Sequence, residues 1–182
     1  QKTYVPDNNF EQALIDLNYD DTLDDSVLTA NISGVTYLNV DDEGISDLTG
    51  IEAFTALTEL VCYNNDLTTL DLSANTALNI LEGNYNQLTI LGVSANTALT
   101  TLRCNHNQLT SLDVSNNTAL TSLDCGSNSL TSLDVSANTA LTNLRCLYNQ
   151  LSTLDISSNT ALEYLTCQGN QFTSLNLSTN TA

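Results

Sequence analysis

The side chains of this sequence that could do chemistry are five cysteines, one histidine, three basic residues and seven tyrosines, set among twenty-one carboxylates. Their spacing argues against an enzyme. His106 has no Ser/His/Asp constellation around it, and no carboxylate pair marks out a cleft. Cys104, Cys125, Cys146 and Cys167 fall twenty-one residues apart, and Cys62 lies two such steps before Cys104 with Gly83 between them. Thiols at one fixed step form a line rather than a tetrahedron, and no C-x2-C pair exists, so zinc is not expected. Stacked neighbours could meet the Cα distance for a disulfide, but their Cβ vectors run parallel, so all five thiols are expected free and buried. Asp16-x-Asn18-x-Asp20 opens like a calcium loop with Asp24 at its ninth position. Asp21 stands where the loop needs glycine and Val27 where it needs glutamate, so the stretch from Asp16 to Asp25 reads as a solvated acidic loop. No metal and no cofactor is expected. What remains is binding. Tyr63, Tyr85, Tyr148 and Tyr164, with His106, Arg103 and Arg145, offer large contact areas with polar tips, the residue types that dominate interface hot spots.

These residues are positioned by a repeat. Leu67, Leu88, Leu109, Leu130, Leu151 and Phe172 each open a twenty-one-residue copy, and each copy divides into an LxxLxVxxN half and an LxxLxCxxN half. In L-x-x-L-x-C the second Leu and the Cys are two apart, so a short strand points both inward. One coil cannot bury its own apolar face, so coils must stack into a continuous core. Cysteine stands here as a small hydrophobe, in a column matched on the other half by Leu72, Val93, Val114, Val135, Ile156 and Leu177. The closing asparagines form two columns, from Asn65 to Asn170 and from Asn75 to Asn180, whose amides can tie turns together. Both halves carry the strand pattern, which predicts two parallel sheets on opposite sides. The outer half is too short and too rich in Thr, Ser, Val and Asn for a helix.

The two faces differ. On the LDVS side the outward positions barely change, with Asp71, Gly92, Asp113, Asp134, Asp155 and Asn176 in one column. Aspartates about 4.8 Å apart repel weakly in water, and that face suits a scaffold. On the LxC side the outward residues vary, and Glu82, Arg103, Asp124 and Arg145 alternate in sign as cross-strand ion pairs would. The tyrosines have no such structural role, so Tyr63, Tyr85, Arg103, His106, Arg145, Tyr148 and Tyr164 are the candidate partner-binding residues.

A net charge of −18 leaves no cationic surface for nucleic acid and would be repelled by an anionic membrane. No apolar run approaches the roughly 18–20 residues of a membrane span. Residues 1–34 do not repeat and predict an N-terminal cap, with a short helix after Pro6 carrying Phe10, Ala13, Leu14 and Leu17, and an Asn8/Glu11 capping box. Residues 35–182 predict one continuous solenoid, cut short at its C-terminus, whose uncovered last strand would favour weak self-association. The start at Gln1 fits a mature end left by signal cleavage or an artificial boundary.

With its nested LxxLxCxxN and LxxLDVSxN halves, the chain resembles the 21-residue class of bacterial leucine-rich repeats. ISDLTGIEAFTAL in the longer first coil resembles the internalin type, and VPDNNFEQALIDLNYDD…LTANIS resembles the N-terminal cap of secreted bacterial members. The resemblance implies a mostly β leucine-rich-repeat solenoid with a short helical cap, in a secreted or cell-surface protein. The expected function is a binding module for an extracellular protein or polysaccharide, with no catalysis. A structural stalk or adhesin spacer is the alternative, and regular threonine columns admit an ice-binding surface.

Overall fold

Each LxC half closes into one three-residue strand. β3 (Tyr37–Asn39), β4 (Glu59–Val61), β5 (Ile80–Glu82), β6 (Thr101–Arg103), β7 (Ser122–Asp124), β8 (Asn143–Arg145) and β9 (Tyr164–Thr166) pair in chain order as a seven-stranded parallel sheet. The computed structural model describes residues 1–181, and Ala182, the last residue of the expected solenoid, lies outside them. The central leucine of each strand, from Leu38 through Leu60, Leu81 and Leu102 to Leu165, sits in one row. The fold is the expected leucine-rich-repeat solenoid, and a single apolar cluster runs along it from Val5 to Leu162.

The second sheet is not built. Among the described residues the LDVS side carries one isolated bridge, Asp71 with Gly92, in place of a ladder. The reason lies in where its backbone groups are spent. Asp71, Asp113, Asp134 and Asp155 each accept the N–H of the serine two residues on, at 2.9 Å. The carbonyls of Leu72, Val93, Val114, Val135 and Ile156 each accept from the asparagine amide of the following coil. Local turns and side-chain amides have taken the partners a ladder would need.

The asparagine columns do the tying predicted for them. Asn86 donates to the carbonyls of Gly83 in its own coil and Cys62 in the one before, and its Oδ1 accepts from the Leu67 N–H. Asn107, Asn128, Asn149 and Asn170 repeat that pattern down the chain. In the second column only Nδ2 is engaged, as where Asn117 donates to Val93 and Asn96 at 2.9 Å.

At the N-terminus β1 (Lys2–Tyr4) pairs antiparallel with β2 (Ser26–Leu28), flanking α1 (Asn8–Asp16), and the short helix α2 (Thr29–Ile32) follows. Helix α1 buries Phe10, Ala13 and Leu14, and Phe10 meets Phe54 of the first coil with ring centroids 6.4 Å apart. The capping residue is Asp7, not Asn8. Asp7 is extended and its Oδ1 accepts from the N–H groups of Asn9 and Phe10, whereas Asn8 already lies inside the helix. Glu11 is not a capping-box partner either: buried completely, it accepts from the N–H groups of Asp24 and Ser26.

Candidate binding face

Outward residues on the sheet side fall into columns one coil apart. Tyr164 begins β9 beside Asn143, and Arg103 sits between Glu82 and Asp124. Of the alternating charges only Glu82 and Arg103 close into an ion pair; among the described residues Asp124 and Arg145 form none. Asp124 instead accepts the Gly126 N–H at 3.1 Å, which turns its carboxylate along its own coil.

Three positions past each of β4 to β9 the chain makes a left-handed turn. Asn64, Tyr85, His106, Ser127, Tyr148 and Gly169 all have φ between 50° and 73°. Asn and Gly enter that region at little cost, whereas a bulky side chain is disfavoured by about 1–2 kcal/mol. Burial does not repay this at the tyrosines, since Tyr85 is 51% and Tyr148 59% exposed. The same column uses Asn64, Ser127 and Gly169, so the turn forms without an aromatic. Tyr85 and His106 stack face to face, centroids 4.3 Å apart and planes 8° from parallel. The Tyr148 ring lies on Gly169, where a Cβ would come within 2.3 Å of Cδ1.

The seven predicted residues therefore divide. Tyr63, Tyr85 and Arg103 line one pocket of 340 Å³ together with Asn64, Glu82 and Asn84, and His106 flanks it through the stack. Arg145, Tyr148 and Tyr164 lie further along and are not part of it. Sequence reasoning missed Asn84, whose Oδ1 is buried without a hydrogen-bond partner, and Asp41, whose carboxylate acts on the Tyr63 phenol. Asp41 is the largest cause that raises the Tyr63 phenol above its ordinary value, followed by desolvation and the charges of Asp42 and Glu82. Asp41 could not be found from the repeat, because the first coil is one residue longer than the rest and pairs Asn39 with Val61.

The thiols are all free, and burial pushes Cys62 and Cys146 up to about 12. Cys167 is not buried as expected but half-exposed, since among the described residues no further coil covers it. No group of three or more His, Cys, Asp or Glu side chains arranged to hold a metal is found among the described residues, and no helix there is long and apolar enough to cross a membrane.

The family model for leucine-rich repeats (2 copies) matches residues 97–139. Internalin J of Listeria monocytogenes serotype 4b is 42% identical over 75 residues, which is 40% of this chain and 8% of that protein. A solved functional domain of InlJ from Listeria monocytogenes, described as including a cysteine ladder, superposes with TM-score 0.62 and 32% identity. That match covers 100% of this chain and 50% of the other, so the chain spans about half the length of that domain. Internalin C2 from the same species shares the fold at TM-score 0.70 and 20% identity, over 98% of this chain and 94% of its own. The chain has the leucine-rich-repeat fold, and its sequence and structure are similar to those of bacterial internalins.

Proposed function

We propose that this chain is a protein-interaction module displayed outside a bacterial cell, and that its partner docks across the LxC sheet and the adjoining turn ridge. The observation that carries this is the set of exposed aromatics held at positive φ. Tyr85, His106 and Tyr148 occupy turns that the same chain makes elsewhere with Asn, Ser and Gly, and strain kept at exposed residues marks functional positions. Tyr63 and Tyr164 extend the same face by one coil in each direction, and Arg103 and Arg145 lie within it. The LDVS face has no outward aromatic to compare. Kinship with leucine-rich-repeat and internalin proteins supports a binding module over an enzyme. A polysaccharide is the second reading, favoured by one feature, the flat Tyr85/His106 stack, on which the apolar face of a sugar ring could lie.

The test is Tyr85→Asn with Tyr148→Asn, which keeps residues that tolerate the turn. Capture on protein and glycan arrays should be lost while the melting temperature holds or rises slightly. Asp113→Asn with Asp134→Asn on the opposite face should leave capture intact. If the aspartate pair abolishes binding and the tyrosine pair does not, the face is the wrong one.

A further inference from the structure

The pocket between the second and third strands of the sheet has a chemistry of its own. Two phenol rings, Tyr63 and Tyr85, form part of its lining, and the buried Asn84 Oδ1 has no donor. Glu82 stands in its lining, the Asp42 carboxylate accepts from the Asn64 amide, and Asp41 acts on the Tyr63 phenol and raises it. Arg103 is the single positive group there and is already paired with Glu82. With Glu82 and Arg103 compensating each other, the charges of Asp41 and Asp42 beside the pocket are left over, in a chain of net charge −18. An acidic or phosphorylated ligand would meet repulsion, and a purely apolar one would leave the carboxylates without a counter-charge. What fits is a group that is flat or compact and cationic: it can lie on the rings and pair with the carboxylates.

We propose that the Tyr63/Tyr85 pocket receives an arginine or lysine side chain from a basic segment of the protein partner. This rests on the interaction-module reading and specifies what one part of that face takes. Tyr85 then has two uses, one face of its ring stacked on His106 and the rest of its surface turned to the guest. The stack holds the ring in place before binding, so little side-chain freedom is lost on contact.

The probe is a fluorescent Gly/Ser peptide carrying two arginines, with two matched peptides that carry citrulline or glutamate instead, followed by anisotropy at 0.15 M salt. The arginine peptide should bind about tenfold or more tightly than the citrulline peptide, and should shift the Tyr63 and Tyr85 ring resonances. Asp41→Asn with Asp42→Asn removes two charges while keeping both hydrogen-bond acceptors, and should weaken binding about tenfold. Asp113→Asn with Asp134→Asn removes the same charge from the other face and should change it less than about twofold. Equal losses in the two variants would mean long-range attraction to an acidic chain and would overturn the proposal. So would equal affinity for the citrulline peptide, preference for the glutamate peptide, or no binding of the arginine peptide. The module reading survives any of these results, because it stands on partner capture by the Tyr85/Tyr148 pair. A glycan captured through those tyrosines, with no response to the arginine peptide, would assign the pocket to sugar instead.

Discussion

At the scale of single residues, the repeat makes this chain its own control, since each position is sampled about six times in one backbone setting. Gly83 stands in the column otherwise filled by Val40 and five cysteines. It needs no positive φ, and an added Cβ would meet only the Cys62 Sγ, at an ordinary 3.8 Å. Gly83→Ala should therefore stabilise by about 0.5–1 kcal/mol, through a less free unfolded chain and a better-filled core, read as an upward shift in urea midpoint. The cysteines sort by depth. Native protein treated with a thiol reagent should modify Cys167 first and the other four only on unfolding, with five counted in denaturant. Modification of Cys104 or Cys125 in folded protein would contradict their burial. The tyrosine face was legible because the outward residues of one half vary and those of the other do not. The pocket was not, since the Asn84 orphan and the Asp41 contact depend on how two unlike coils meet, and spacing carries no such information.

At the scale of elements, one carboxylate both caps α1 and ties it to the first coil, beside the Asn9 amide that donates to the Gly44 carbonyl. Asp7 caps the helix with Oδ1, while Oδ2 accepts from the N–H groups of Ser46 and Asp47 and from the Ser46 hydroxyl at 2.7–3.0 Å. Desolvation pulls this carboxyl up, but the bonds from Ser46, Phe10 and Asp47 together outweigh it and hold the group below its ordinary value. A depressed folded value means stability that is complete above the unfolded carboxylate range near pH 3.9 and is lost as pH falls through the lower folded value. Asp7→Ala should cost about 1–2 kcal/mol at neutral pH from the lost cap, measured by chemical denaturation. The cost should shrink on acidification below about pH 4; a constant penalty down to pH 2 would refute the linkage. The existence of α1 was legible from its apolar spacing and Pro6. Its capping residue was misplaced by one because Asp7 and Asn8 are equally good caps in sequence, and only Ser46 and Asp47, some forty residues away, choose between them. The second sheet was overread for a related reason: Leu-Asp-Val-Ser alternates as a strand would, yet the aspartate satisfies its own turn.

At the scale of the whole molecule, the two sides of the solenoid are joined differently, by a seven-stranded ladder on one and by asparagine amides on the other. Backbone amides in the strands from β4 to β8 should exchange hydrogen far more slowly than those of the LDVS segments, and amide exchange with mass detection would resolve the two. Equal protection on both sides would mean that the amide ties are as cooperative as a sheet. A strip with one inextensible edge and one compliant edge can bend in a single plane only. Flexure of such a strip would open and close gaps along the aspartate edge, while the rise from coil to coil on the tyrosine edge would stay constant. On the proposed reading the aromatic face is a ruler of fixed graduation on a backing that gives, and a partner presenting groups at that same pitch would meet it in register however the solenoid is curved.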